Sequence, residues 1–346
     1  MIELKESIHE AFIGFVIGDA IGVPFEFRSK KEMVKNPCTD MIGHGTYNLP
    51  KGYWSDDTSL TLATIDAIVT GDYAGWGGDD QLYARLTRYL TDGCYTPDGH
   101  VFDIGIATRI GLENYLTRKL QGVKFDWYHF NHDAIDSNGN GALMRMLPIA
   151  FLFIHGGCYK GLTRMVLRAC TITHNHPINF NICVTYCCII YELYHRRNRR
   201  GTEWWGEDSV GAIDSALNRG VYYPTRERNG KSLEQNRLYQ GTSVLKMLQE
   251  EDLNPKGYVV STLEIAIWAT LNSSSAKEAI LKAVNLGHDT DTNAAVTGSI
   301  AGLVFGLTSI PDSWLNNIVK KDEILDNLNV FAEFLPTIDV ERLQQD

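Results

Sequence analysis

Two short stretches combine carboxylates with hydroxyls at a spacing that can bind a metal ion. One is Asp289-Thr290-Asp291-Thr292 and the other is Ser55-Asp56-Asp57-Thr58. Hard oxygen ligands of this kind suit Mg²⁺, Mn²⁺ or Ca²⁺ rather than zinc. If the two stretches met without a cation their carboxylates would repel each other, so we expect a shared site that holds one or two divalent ions. The alternative is that these residues only cap helices.

Each stretch lies where a buried helix is predicted to begin. Residues 293–306 are uncharged, and apolar residues on all sides of this run predict a helix inside the protein. Gly298, Gly302 and Gly306 recur in it at helical spacing. Because Gly in a helix interior costs about 1 kcal/mol relative to Ala, this stripe predicts close packing against another helix. Residues 60–69 are predicted to form a second, mostly buried helix.

Two further carboxylates stand near predicted helix ends. Glu26 follows a helix predicted over residues 7–21 and lies between aromatic residues, where it either pairs with Arg28 or reaches the site. Asp103 opens a helix predicted over residues 103–120. It is either the cap of that helix or another acid of the site.

A glycine-rich loop and a pair of histidines add candidate ligand contacts. Asn138-Gly139-Asn140-Gly141 runs into a helix, and backbone N–H groups at such a junction can hold phosphate. His174 and His176 lie between two predicted helices. No cysteine or third histidine lies at ligand spacing, so a zinc site is not predicted, although one of the two can line a pocket.

Composition points to one all-α domain over residues 1–346. The chain is 44% hydrophobic and 21% charged, which is typical of a globular protein with an ample core. There is no regular β alternation and no repeat. The net charge of -10 argues against nucleic-acid binding.

Several features of the chain predict a cytoplasmic location without membrane attachment. Seven scattered cysteines without a Cys-x-x-Cys pair predict free thiols in a reducing compartment. The first residues lack the plan of a signal peptide. Residues 293–310 are long enough to consider as a membrane span, but their Gly, Thr and Ser content favours a core helix.

In their order along the chain, these motifs resemble those of the ADP-ribosylglycohydrolases. That family includes the dinitrogenase-reductase-activating glycohydrolase, the vertebrate ADP-ribosyl-acceptor hydrolases and a lens crystallin. The resemblance covers about residues 8–310. It is carried by Gly18-Asp19-Ala20-Ile21-Gly22 with Glu26, Trp54-Ser55-Asp56-Asp57-Thr58, Asp103-Ile104-Gly105, Gly139-Asn140-Gly141 through Arg145, Thr173-His174 with Pro177, Gly257-Tyr258-Val259 through Trp268, and Asp289-Thr290-Asp291-Thr292.

The resemblance implies a compact all-α fold with a binuclear Mg²⁺ or Mn²⁺ centre. Ser55 stands where many members carry Thr, which offers the same hydroxyl oxygen. His288 replaces a Gly of some members and is expected to narrow the pocket. By position the metal ligands are Ser55, Asp56, Asp57, Asp289, Asp291 and Thr292.

The same resemblance assigns catalytic and substrate-binding residues. Glu26 matches a loop glutamate near the metals and the substrate. Asp103 matches an acid that arginine-specific members place beside the scissile bond. The positions around the bound ADP-ribose are Asn140, Gly141, His174 and Tyr258.

The function expected from this resemblance is hydrolysis of an ADP-ribosylated protein, with arginine as the favoured acceptor and ADP-ribose as the product. The bond broken is the N-glycosidic bond at the distal ribose, through an oxocarbenium-like transition state. Divalent ions can orient the ribose hydroxyls and activate water. Asp103 or Glu26 is expected to act as general acid or base, in an order that remains open. The phosphates are expected on residues 139–141, and adenine on Tyr258 or Tyr222.

Other functions are compatible with parts of this pattern. The acceptor can instead be serine, or the substrate O-acetyl-ADP-ribose. A module that binds ADP-ribose or metal without turnover, as the crystallin branch suggests, has no need for the complete set of acids. A metal-dependent phosphohydrolase usually pairs histidines with aspartates, and here only His288 adjoins an acid cluster.

Overall fold

The fold is built from α-helices, so the prediction of an all-α protein is confirmed. The computed structural model describes residues 4–71, 79–122, 138–156, 159–200, 207–219, 225–227 and 230–338. No β-strand forms within these ranges, which contain two isolated β-bridges. The helices are α1 (Leu4–Gly22), α2 (Lys30–Lys35), α3 (Asp56–Thr70), α4 (Asp79–Asp92), α5 (Ile106–Leu120), α6 (Leu147–Gly156), α7 (Tyr159–Thr171), α8 (Pro177–Arg200), α9 (Glu207–Leu217), α10 (Thr242–Met247), α11 (Val259–Leu271), α12 (Ala276–Val284), α13 (Thr290–Phe305), α14 (Asp312–Asn317) and α15 (Lys321–Phe334).

Helices α1 and α13 form an antiparallel pair whose backbones touch at glycines. A Cβ built on Gly298 would lie 2.0 Å from the carbonyl oxygen of Gly14, and one on Gly302 would lie 2.1 Å from that of Glu10. No residue with a side chain fits at these positions without displacing backbone. The predicted close packing of the α13 stripe is therefore confirmed for Gly298 and Gly302, whereas Gly306 has φ 74° and ends the helix.

The same glycine contacts set the position of the acids. Near the other end of the pair, a Cβ built on Gly22 would lie 2.3 Å from the Cα of Asp291. The hydroxyl of Thr290 donates to the carbonyl oxygen of Gly22 at 2.7 Å. The C-terminal end of α1 is thus fixed against the first turn of α13, which carries the second acid of the 289–292 stretch.

Two helix starts near the site have no side-chain cap. Helix α5 begins at Ile106 after Gly105, and no side chain caps it, so the interpretation of Asp103 as its cap is wrong. Helix α11 begins at Val259 without a side-chain cap. The hydroxyl of Thr262, in the first turn of this helix, accepts a hydrogen bond from the side-chain amide of Asn140 at 2.9 Å.

The helices share one hydrophobic core, to which α1, α8, α11 and α13 contribute most of their length. Residues 4–25 are long and apolar enough to cross a membrane by length and composition, but 94% of that apolar window is buried inside the protein, as in a core helix. The cysteines within the described ranges are free thiols, and all of them except Cys94 are buried.

Candidate metal centre and cleft

Two residues with a left-handed backbone conformation bring Glu26 to the start of α13. The N–H of Phe27 donates to the carbonyl oxygen of His288 at 2.6 Å, and the N–H of His288 donates to that of Arg28 at 2.7 Å. Phe27 and His288 have φ of 64° and 61°, which is uncommon for residues other than glycine. The segments before α2 and before α13 are therefore clasped together, and their carboxylates face one another.

A deep group of acids consists of Asp19, Asp57 and Asp291, whose nearest carboxylate oxygens all lie within 4.8 Å of one another. The Oδ2 atom of Asp57 accepts hydrogen bonds from the hydroxyls of Ser55 at 3.1 Å and Thr292 at 3.2 Å. Its Oδ1 atom is buried and has no hydrogen-bond partner within the described residues. Because an unpaired buried carboxylate oxygen is costly, this atom marks a place where a cation fits.

An outer group of acids shares one member with the deep group. Glu26, Asp103 and Asp291 each offer a carboxylate oxygen within 4.8 Å of the others. Asp291 therefore stands between two adjoining sets of oxygens. Two sets of converging carboxylates that share one member are not explained by two unrelated helix caps.

The remaining predicted acids lie on the cleft wall beside these groups. The Oδ2 atom of Asp56 accepts from the N–H of Gly105 at 3.2 Å. The Oδ2 atom of Asp289 accepts from the side-chain amide of Asn140 at 2.8 Å. Asp289 stands at the N-cap of α13 without a side-chain capping bond, so capping does not explain its carboxylate.

Burial raises the pKa of every acid in this cluster. It raises the pKa of Asp19 and of Asp103 to about 6, the latter with help from the charge of Asp289. It raises the pKa of Glu26 to about 9, with the charge of Asp103 as the next cause. The pKa values of Asp56, Asp57 and Asp291 also rise well above the usual range, for the same reason.

The chemistry of the donor set fits hard divalent ions. Carboxylates and hydroxyls supply the close oxygens. Among the described residues that line the cleft, Lys256 is the one with a lysine or arginine side chain. Burial and mutual repulsion would be relieved by cations bound between the acids. Mg²⁺ and Mn²⁺ prefer such oxygen ligands, whereas zinc sites usually include cysteine or histidine.

Asp19 belongs to the site, although sequence reasoning assigns it no role beyond its family motif. Its Oδ1 accepts from the N–H of Ser55 at 2.9 Å, and its Oδ2 accepts from the N–H and hydroxyl of Thr58 at 2.9 and 2.6 Å. Asp19 thereby docks the first turn of α3 onto α1. The available signal was a single carboxylate in the apolar run over residues 11–25.

Tyr47 is a second residue that sequence reasoning missed. Its hydroxyl donates to the Oε2 atom of Glu26 at 2.5 Å. The hydroxyl of Thr46 donates to the carbonyl oxygen of Glu26 at 2.6 Å, which fixes this loop beside the site. Arg28 lies over the ring of Phe25, at 5.0 Å from its centroid, so the alternative pairing of Glu26 with Arg28 is wrong.

The acids open into a cleft of about 590 Å³ whose other wall carries the glycine-rich loop. The N–H of Asn140 donates to the carbonyl oxygen of Gly257 at 3.0 Å, which ties the loop to the start of α11. A Cβ built on Gly141 would lie 2.9 Å from the ring of His174. Asn140, Gly141 and His174 all line the cleft, as does His288 on the side of the acids.

Tyr258 is the predicted substrate residue that the structure does not place in the cleft lining. Its backbone forms the bridge with Gly139, and its hydroxyl donates to the Oε1 atom of Glu227 at 3.2 Å. Tyr222, the other candidate platform for adenine, lies outside the described residues. The described walls therefore contain neither proposed adenine platform.

Two exposed apolar side chains line the mouth of the cleft. Phe27 is 67% exposed on the side of the acids, and Ile106 is 81% exposed at the start of α5. The ring of Phe27 contacts Tyr47 edge-on, with centroids 6.3 Å apart. This mouth offers apolar contact to a group that projects from a ligand bound in the cleft.

Comparisons with known proteins show what this chain is similar to. The family model for ADP-ribosylglycohydrolase matches residues 1–342. The ADP-ribosylarginine hydrolase Tri1 of Pseudomonas putida (strain GB-1) is 28% identical over 335 residues, 95% of this chain and 78% of the relative. That of Serratia proteamaculans (strain 568) is 30% identical over 330 residues, 94% of this chain and 79% of the relative. A solved "ADP-ribosylglycohydrolase-related protein complex" has a TM-score of 0.68 at 24% identity, covering 97% of this chain and 100% of that chain, which supports the fold.

Proposed function

This chain belongs to the ADP-ribosylglycohydrolase family and is a glycosyl hydrolase, and from that premise we propose that it removes ADP-ribose from arginine side chains of modified proteins. The bond cleaved is the N-glycosidic bond between the guanidine and the distal ribose. The single observation that carries the proposal is the outer acid group, where Glu26, Asp103 and Asp291 converge at the cleft. The two named relatives at 28% and 30% identity support the choice of acceptor.

Asp103 is the proposed partner of the arginine guanidine. A guanidine is planar and can pair with a carboxylate through two parallel hydrogen bonds, whereas a serine hydroxyl cannot. Burial raises the pKa of Asp103 to about 6 and that of Glu26 to about 9. As the pH falls, Asp103 therefore remains charged to a lower pH than Glu26 does. It is therefore the better of the two acids to hold a cationic leaving group.

Glu26 is the proposed second acid of the reaction. Its carboxyl is a buried member of the outer acid group and accepts a hydrogen bond from Tyr47. The clasp between Phe27 and His288 fixes its backbone. A carboxyl held in this way can pass a proton to or from a water at the ribose without first reorganising.

Two divalent ions, Mg²⁺ or Mn²⁺, are proposed to bind between the acids. When bound, such ions lower the pKa of water and bind sugar hydroxyls. The chain's own part is to fix oxygens on two rigid helix starts, those of α3 and α13. The proposed ligands are Ser55, Asp56, Asp57, Asp289, Asp291 and Thr292, with Asp19 bracing α3 from behind.

The rest of the substrate is proposed to lie along the opposite wall. The diphosphate faces residues 139–141 and His174, and the modified arginine leaves through the mouth between Phe27 and Ile106. This direction places the distal ribose at the acids. We further propose that the partner is an ADP-ribosylated protein in the cytoplasm.

The test is a product assay on three substrates. The protein is incubated with arginine-linked, serine-linked and O-acetyl-linked ADP-ribose in Mg²⁺ or Mn²⁺, and ADP-ribose and AMP are separated by chromatography. The proposal predicts ADP-ribose as the product, released fastest from the arginine linkage. Release of AMP would identify a phosphohydrolase, and equal rates on all three linkages would refute the acceptor assignment.

A further inference from the structure

Arg145 carries a buried charge that no acid balances. It is fully buried behind the glycine-rich loop. Its Nε donates to the carbonyl oxygen of Gly141 at 3.2 Å, its Nη1 to that of Ala169 at 2.7 Å, and its Nη2 to the hydroxyl of Thr173 at 2.7 Å. All three acceptors are neutral, and no carboxylate pairs with it within the described residues.

A second buried arginine shows the usual arrangement. Arg197, at the far end of the α1/α13 pair, forms an ion pair with Glu10. A buried charge without such a partner is costly, and proteins generally pair it or bind an ion beside it. The guanidinium of Arg145 lies directly behind Gly141, which lines the cleft, so an anion bound at this wall would provide the balance.

Arg145 also determines which nitrogen of His174 carries the proton. Because a guanidinium only donates, the Thr173 hydroxyl accepts from Arg145. The hydroxyl proton of Thr173 then has one neighbouring acceptor within the described residues, the Nδ1 of His174 at 2.7 Å. The proton of the imidazole must therefore be on Nε2, an assignment made from the hydrogen-bond network.

The Nε2 atom lies next to the loop that lines the cleft. A Cβ built on Gly141 would lie 3.3 Å from it, and one built on Gly139 would lie 3.6 Å from it. No protein acceptor is found for Nε2 among the residues described. Burial and the charge of Arg145 lower the pKa of His174 to about 3, so the ring is neutral at physiological pH and donates only from Nε2.

We propose that Arg145 is a positioning residue for the diphosphate of ADP-ribose. It holds the Gly141 peptide, fixes His174 through Thr173 as an Nε2–H donor toward a phosphate oxygen, and favours an anion through its unbalanced charge. The inference rests on the proposed function, because it takes ADP-ribose as the ligand. It goes further in assigning roles to two residues, Arg145 and Thr173, that do not touch the substrate.

The first test is spectroscopic and needs no substrate. ¹⁵N NMR of the histidine rings in the wild-type protein distinguishes a protonated Nε2 from a protonated Nδ1. The inference predicts His174 as the Nε2–H form in the wild type and a mixture of the two forms in Thr173→Val. A protonated Nδ1 of His174 in the wild type, or the same His174 tautomer in both proteins, would refute the hydrogen-bond chain from Arg145 through Thr173 to His174.

The second test compares a charged with an uncharged ligand. Calorimetry with ADP-ribose and NMR titration with adenosine are performed on the wild type, Thr173→Val and Arg145→Met. Loss of a hydrogen bond to a charged group is expected to weaken ADP-ribose binding by about tenfold and leave adenosine binding unchanged. The matched control is Thr64→Val, since this buried threonine bonds only to a carbonyl of its own helix. It should alter neither affinity.

The outcomes separate the inference from the proposed function. If the wild type fails to bind ADP-ribose, the proposed function fails. The tautomer of His174 still tests the hydrogen-bond chain from Arg145 through Thr173 to His174. If the wild type binds and Thr173→Val weakens both ligands equally, or neither, Arg145 and Thr173 are merely structural. Should Arg145→Met not fold, Arg145→Lys retains the charge with fewer donors and is expected to show a smaller loss for ADP-ribose alone.

Discussion

Adding one methyl group at Gly298 is expected to disturb both the fold and the metal centre. A Cβ at this position would lie 2.0 Å from the carbonyl oxygen of Gly14, whereas ordinary contact begins at 3.4 Å. Gly298→Ala therefore requires α1 and α13 to separate by about 1.4 Å, the difference between these distances. The obstacle is backbone, so no side-chain rotation relieves it.

The energetic cost follows from two opposed effects. Overpacking of a buried interface costs about 1–3 kcal/mol. Replacing Gly by Ala inside a helix returns about 1 kcal/mol. We therefore expect a net loss of up to about 2 kcal/mol in the free energy of unfolding. Asp19 lies on α1 and Asp291 on α13, so the same separation widens the deep acid group, and Mg²⁺ tolerates little change in ligand geometry.

The assay combines denaturant unfolding with a titration of Mg²⁺ or Mn²⁺. Gly211→Ala is the matched control, because it also adds a methyl inside a helix, but there the Cβ meets the flexible end of Arg196. The control is expected to be neutral or more stable by up to about 1 kcal/mol, with unchanged metal affinity. If Gly298→Ala were as stable as the control and bound metal equally well, the glycine contact would not hold the site together.

Three further predictions follow from the site. Without divalent ions, the free energy of unfolding should fall as the pH rises from about 4 to about 9. In the folded state the pKa is about 6 for Asp19 and Asp103 and about 9 for Glu26, above the unfolded values. The folded state therefore binds more protons than the unfolded state in that pH window. Equal stability at pH 5 and pH 8 in EDTA would contradict this, and Mg²⁺ should stabilise most at the higher pH. Ser55→Thr should retain metal affinity, whereas Ser55→Ala should lose about 1 kcal/mol of helix capping and bind Mn²⁺ more weakly; if both variants bind Mn²⁺ equally, Ser55 is only a cap. Asp103→Asn should lower kcat/KM on ADP-ribosyl-arginine by about 100-fold or more without loss of stability, since α5 is not capped by Asp103, and an active variant would remove the reason for preferring arginine.

The parts of the fold and site that could be predicted from the sequence are those with local signals. A run without charge and with glycines at helical spacing predicted α13 and its close packing, and paired acids before it predicted the carboxylate cluster. These features depend on residues near each other in the chain. The structure brings the two acid stretches together through the α1/α13 contact and the hydrogen bonds from the start of α3 to Asp19 on α1, as expected for a shared site.

What sequence reasoning missed depends on contacts between distant segments. Tyr47 lies in a loop without any local signal, and it reaches Glu26 because Thr46 bonds to the backbone there. The sequence predicts a helix start at Asp103, because an acid before an amphipathic run resembles a cap. Its backbone oxygen instead accepts from Tyr89 at 2.5 Å, which holds the segment before α5 out of the helix. Tyr258 is turned toward Glu227, a partner that no motif indicates.

The most direct test of the account is metal reconstitution of ADP-ribosyl-arginine hydrolysis. The protein is stripped with EDTA, returned to buffer and titrated with Mn²⁺ while ADP-ribose release is followed, for the wild type and for Asp291→Asn. Asp291 is a proposed metal ligand that belongs to both acid groups, so its loss should impair metal binding. The account predicts no activity after stripping, recovery that saturates near two ions per chain in the wild type, and little recovery in the variant. Full activity in excess EDTA, or an Asp291→Asn protein that recovers like the wild type, would contradict it.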